Sequence, residues 1–114
     1  MDTNNHKLRT LKVFISLPMN GLSDDEIKIN IEKAKNELIK KYEGQYELYF
    51  INSYISTDLQ YFVKHPGAFY LGKSIEMMAD ADLVYFCKGW DHARGCKLEH
   101  DIAYAYNIKC IEEW

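Results

Sequence analysis

The chain reads as an α/β protein, a three-layer fold in which a parallel sheet of four to five strands is flanked by helices. Three observations predict it. Short β-branched and aromatic runs alternate with stretches of helical periodicity, in the order β, α, β, short α, α, β, α, β. Alternation of this kind gives parallel strands joined by right-handed crossovers. The runs at residues 11–17 and 83–87 are almost continuously apolar, as strands buried on both faces are. Glycine-bearing, polar loops follow the strands, at the sheet edge where Rossmann- and flavodoxin-like folds bind their ligands.

The elements follow in order. Residues 1–10 are a polar tail and residues 11–114 a single domain. LKVFISL, residues 11–17, is the first strand, and Pro18-Met19-Asn20-Gly21 ends it with turn chemistry. Ser23 with Glu26 three residues on is a capping-box signature, and Asp24 and Asp25 suit the start of a helix. That helix runs from Asp24 to about Tyr42, with Ile27, Ile31, Ala34 and Leu38 as its core stripe and Gly44 as its stop. YELYFI, residues 46–51, is the second strand. Residues 52–66 form a long loop holding Tyr54, Tyr61, Phe62, His65 and Pro66, with a short helix near 59–63; loops of that length often cover a site. A helix over 69–81 presents Leu71, Ile75, Met77 and Met78. Asp82 opens the third strand. The last helix spans 96–107, with Leu98, Ile102 and Ala105 inward, and residues 108–112 are the final strand.

With 114 residues the chain holds one core and no more. Its net charge of -3 argues against nucleic acid as a partner, since such binders carry a basic surplus. No run approaches the ~20 apolar residues that cross a bilayer, and residues 1–9 lack the apolar core of a signal peptide. Three cysteines without CxxC spacing fit a reducing cytoplasm better than a disulfide framework.

The candidates for chemistry lie in the loops after the strands. Glu99 falls in what the sequence predicts to be the first turn of the last helix. It is either a nucleophile or general base held ionised there, or a solvated glutamate that the dipole favours anyway. Asp91 is either a second carboxylate over the same pocket or a loop aspartate bonding its own backbone. Two carboxyl groups at an anomeric carbon can divide nucleophile and acid roles. Trp90 either stacks on a base or sugar or lids the sheet edge. Arg94 offers a planar fork for phosphate or carboxylate. Gly95 and Gly21 either permit tight backbone passage or let a ligand approach. His65, His92, His100 and the cysteines have no metal-ligand spacing, so no metal is expected. Neither a P-loop nor a nucleophile elbow is present. Tyr104 and Tyr106 fall on different faces of their helix, which points one of them toward a partner subunit.

FISLPMNG after the first strand, and GWDHARGCKLEHDIAYAYNI after the third, resemble small members of the nucleoside 2-deoxyribosyltransferase-like superfamily, which includes hydrolases of deoxynucleoside 5′-monophosphates. The resemblance covers most of the chain, from Val13 onward. It implies a small-molecule nucleoside or nucleotide substrate, no cofactor, and assembly as a homodimer or larger homo-oligomer. It further implies that Glu99 attacks the anomeric carbon of the deoxyribose. Ser16, Met19, Asn20 and Gly21 then match the first binding loop, and Trp90, Asp91, Arg94 and Gly95 the second. Two positions depart from the pattern. Ser74 stands where the enzymes usually carry an aspartate, and Ala93 where the nucleotide hydrolases tend to carry a phosphate-binding serine. Asp91 is the remaining candidate for the acid. A pocket so altered also fits a nucleotide-binding module without turnover.

Overall fold

A computed structural model describes residues 8–52 and 62–114. The expected short helix near 59–63 falls largely outside them, as do Tyr54, Tyr61 and most of the tail. The described elements are β1 (Arg9–Ser16), α1 (Asp24–Lys41), β2 (Tyr46–Phe50), α2 (Pro66–Met78), β3 (Leu83–Phe86), α3 (Arg94–Ala105) and β4 (Lys109–Glu112), with a 3₁₀ turn (Trp90–His92) between β3 and α3. The sheet is four-stranded and wholly parallel, in the order β2-β1-β3-β4. The direction of winding reverses between β1 and β3, and in such sheets the crevice outside the carboxyl ends of those two strands is the place for a ligand.

Alternation along the strands sends side chains to both faces. Val13, Ile15, Leu83 and Tyr85 meet Ile27, Ala34 and Leu38 of α1 in one cluster. Phe14, Val84 and Phe86 meet Met78 of α2 and Cys96 and Ala103 of α3 in the other. The protein is therefore a three-layer sandwich with α1 on one face and α2 and α3 on the opposite one. At the start of α1, Ser23 Oγ accepts from the Glu26 backbone N–H while the Glu26 carboxylate accepts from the Ser23 backbone N–H, so both halves of the capping box are made. Gly44, at φ +78°, provides the left-handed turn after α1.

Three elements start two or three residues earlier than the sequence reading has them. β1 begins at Arg9, inside the expected tail, because Arg9 and Thr10 continue the register against Tyr46 and Glu47. α2 begins at Pro66, which suits the first helical turn because its missing N–H has no partner to lose there. α3 begins at Arg94, two residues before Cys96, so its inward stripe also moves. Cys96, Glu99 and Ala103 are buried, while Leu98 and Ala105 are exposed and Ile102 half-buried. The helix turns a glutamate toward the core and a leucine to solvent.

Candidate functional site

Glu99 is placed by three elements. α3 carries it inward, β1 ends beneath it at Ser16, and α2 passes beside it at Ser74. It is 7% exposed, and Ser16, itself buried, donates from Oγ to Glu99 Oε1 at 2.6 Å. The Ser74 hydroxyl is a further hydrogen-bonding neighbour of the carboxylate. Ser16 is the last residue of β1 and pairs with Phe86, the last of β3. The carboxylate therefore stands at the carboxyl end of β1, at the point where the strand order reverses.

Its electrostatics correct the sequence expectation. With α3 starting at Arg94, Glu99 lies in the second turn, where the dipole's effect has largely fallen off. Burial pushes its acidity the other way. Desolvation raises the pKa above the ordinary carboxylate value of 4.5, and the hydroxyls of Ser16 and Ser74 pull it back. What holds the charge at this position is a pair of serine donors, not the helix terminus.

Cys96, one helical turn before Glu99, belongs to the same group, since its thiol also has the Ser16 side chain as a hydrogen-bonding neighbour. Burial pushes this thiol up to about 11 and that of Cys87 up to about 12, so both are neutral and poorly nucleophilic at pH 7. Cys96 was not singled out from the sequence. The i, i+3 spacing from Glu99 is the signal that places both on one helix face.

The other candidates divide. Trp90 is buried, with His100 stacked on its ring at 4.3 Å between centroids and Phe86 and Trp114 at 5.5 and 5.1 Å. It is part of the core on the α3 side, so of the two sequence readings it fits the apolar lid. Among the described residues its indole Nε1 has no acceptor. Asp91 is half-exposed in the 3₁₀ turn and faces the His92 ring at 3.6 Å. Arg94 extends toward the first turn of α2, where its Nη2 would stand 3.5 Å from a side chain at Gly67. Met19, Asn20 and Gly21 form an exposed turn closed by the Leu22 N–H on the Met19 carbonyl at 3.1 Å. Gly21 has φ +81° and open space around it, so backbone conformation and not close approach requires a glycine there. Gly95 sits in open space within α3, so no tight passage explains it. Gly89, at φ +91°, is likewise required by its backbone conformation, and a Cβ there would be in ordinary contact with Pro18 Cγ at 3.6 Å, where the loops after β1 and β3 meet.

Among the described residues, two surface concavities lie away from Glu99. One of about 310 Å³ is lined by His100, Asp101, Tyr104 and Ala105, and one of about 400 Å³ lies along α1 around Glu37 and Lys40. Among the described residues no three His, Cys, Asp or Glu side chains converge as a metal site would require, and no helix is long and apolar enough to cross a membrane.

A family model for a domain of unknown function, DUF4406, matches residues 11–112, from β1 to the end of β4. The chain belongs to the DUF4406 family. No curated protein and no solved structure gives a significant match. The matched span takes in both post-strand loops and the whole Ser16–Ser74–Cys96–Glu99 group, so the candidate site lies inside the DUF4406 domain itself.

Proposed function

We propose that this DUF4406 domain cleaves or transfers the N-glycosidic bond of a nucleoside or nucleotide, with Glu99 as the nucleophile. The Ser16–Glu99 hydrogen bond at the sheet's switch point carries the reading. A buried carboxylate costs stability unless it is paired or hydrogen-bonded, such groups concentrate at functional sites, and this one is aligned by a hydroxyl from another element. The resemblance to the nucleoside 2-deoxyribosyltransferase-like superfamily supplies the substrate class. A Glu99 oxygen forms a bond to the anomeric carbon as the carbon–nitrogen bond breaks, and the base departs with a proton from Asp91. Water or a second base then displaces the ester and frees the carboxylate. Covalent capture splits one hard displacement into two easier ones. Arg94, extended toward the N-terminus of α2, is the group for a 5′-phosphate. The same reading takes the working form to be a homo-oligomer in the cytoplasm.

A second reading, a nucleotide-binding module without turnover, draws on different observations. Glu99 is almost covered, Ser74 offers a hydroxyl where an acid is expected, and both concavities lie elsewhere. Incubation with deoxynucleosides and their 5′-monophosphates, followed by chromatography for free base, separates the two. The enzyme reading expects base release that falls by about three orders of magnitude or more in Glu99→Gln. Raised thermal stability with nucleotide, but no base released, would establish the binding module instead. Because burial raises the pKa of Glu99, base release by the wild type is expected to climb with pH above 4.5 as that carboxylate ionises, and to fall again once Asp91 has lost the proton it donates.

A further inference from the structure

Away from Glu99, three rings form a column that leads from the core out along one side of α3. Trp90 and His100 lie 4.3 Å apart and 27° from parallel, and His100 and Tyr104 5.8 Å apart at the same angle. His100 and Tyr104 are one helical turn apart and so share a face. His100 is fixed from the side, its Nε2 2.8 Å from Glu112 Oε2 at the end of the edge strand β4. The column runs from a buried ring to an open one, for Tyr104 is 74% exposed. That outer ring lines the 310 Å³ concavity together with Asp101. Asp101 forms no ion pair among the described residues, although Lys97 stands one turn before it.

The geometry points to a binding site for a small planar cation, a guanidinium compound, in this concavity. An open aromatic face presents negative charge density, and a guanidinium lies flat on it while forking its N–H groups toward a carboxylate. Tyr104 supplies the face and Asp101 the carboxylate. The Glu112 carboxylate behind His100 adds negative potential, and the chain's net charge of -3 likewise favours a cation. A neutral ring gains only the stacking. A non-planar ammonium gains the charge attraction without the parallel fit. The ring and the carboxylate stand three residues apart on one helix face, a spacing that suits a single guanidinium group. The site is separate from Glu99 and does not depend on the glycosidic reading.

The chain's two tryptophans, Trp90 and Trp114, both belong to this cluster, so intrinsic fluorescence reports on it. The full chain is titrated with agmatine and, separately, with putrescine, which has the amine but no planar cation. Calorimetry in parallel reads any binding that the indoles do not. Agmatine is expected to saturate with a midpoint of about 1 mM or below, and putrescine to bind at least about fivefold more weakly. Tyr104→Ala and Asp101→Asn should each weaken agmatine by about fivefold or more, with Tyr104→Phe close to wild type. Both positions are exposed, and circular dichroism checks that the fold is kept. The inference is overturned by no saturable heat or fluorescence change up to about 20 mM agmatine, by equal response to putrescine, or by undiminished binding in Tyr104→Ala. A Gly-Arg-Gly peptide binding more tightly than agmatine would transfer the site to a protein partner. Sedimentation showing self-association that Tyr104→Ala abolishes would assign the face to a second copy of the chain.

Discussion

Glu99 concentrates the physical tension of the molecule in one side chain. A carboxylate at 7% exposure gives up most of its hydration, and two serine hydroxyls return part of it. The pKa is higher folded than unfolded, so the folded state holds the proton more tightly. Stability from this group is then fully present below about 4.5 and is lost as pH rises through the raised folded value. Glu99→Gln keeps the shape and removes the charge. Its melting temperature relative to wild type should rise steadily between about pH 4 and pH 7, and a difference that is flat in pH would contradict this account. Ser16→Ala removes the 2.6 Å donor. It is expected to cost about 1.5–3 kcal/mol at neutral pH by denaturant unfolding, and less in acid, where the carboxyl is neutral. The place of Glu99 near the sheet's rim was legible from its position after a strand and a glycine-bearing loop. The source of its stabilisation was not. Ser16 is 83 residues away in the chain, and only the fold brings the two together.

At the level of elements, the ends of helices separate what sequence shows from what it conceals. The capping box of α1 was readable because all its parts lie within four residues, and its core stripe at Ile27, Ala34 and Leu38 is buried as its periodicity requires. Ser23→Ala should cost about 1 kcal/mol in chemical denaturation without altering the native spectrum. The start of α3 was misplaced by two residues because it has no such signature. Its N-cap is Ala93, at φ -105° and ψ 122°, with no side chain to bond the first turn. That error also displaced the predicted inward face from Cys96, Glu99 and Ala103 to Leu98, Ile102 and Ala105. Hydrophobicity alone favours burying Leu98, and the packed helix buries Glu99 instead. The extended backbone at Ala93 already suits a capping residue, so Ala93→Ser should gain about 0.5–1 kcal/mol of stability, read as a higher denaturant midpoint at unchanged slope.

Across the whole molecule, the parallel sheet divides the core into two halves that share strands and no helix. The alternation of elements made this architecture readable, since consecutive apolar strands need helices on both faces. The order β2-β1-β3-β4 was not readable. Crossover direction is set by which face each helix covers, and the apolar stripes of α1 and α2 are equally able to cover either. That order nonetheless decides where the site lies, because it puts the ends of β1 and β3 side by side. It also makes a thermodynamic statement. Ile15 belongs to the α1 half and Met78 to the α2–α3 half, with no cluster in common. Ile15→Val should cost about 0.5–1.5 kcal/mol and Met78→Ala about 2–5. Changes without shared partners add to within about 0.5 kcal/mol, so the double variant should lose the sum. Ile15→Val combined with Leu38→Ala, both in the α1 half, should depart from the sum by more than that. A departure from the sum in the cross-sheet pair as large as that in the same-face pair, measured by denaturant unfolding, would mean that the sheet does not insulate its faces. A change at the Ser16–Glu99 contact would then be felt in α1 as readily as in α3.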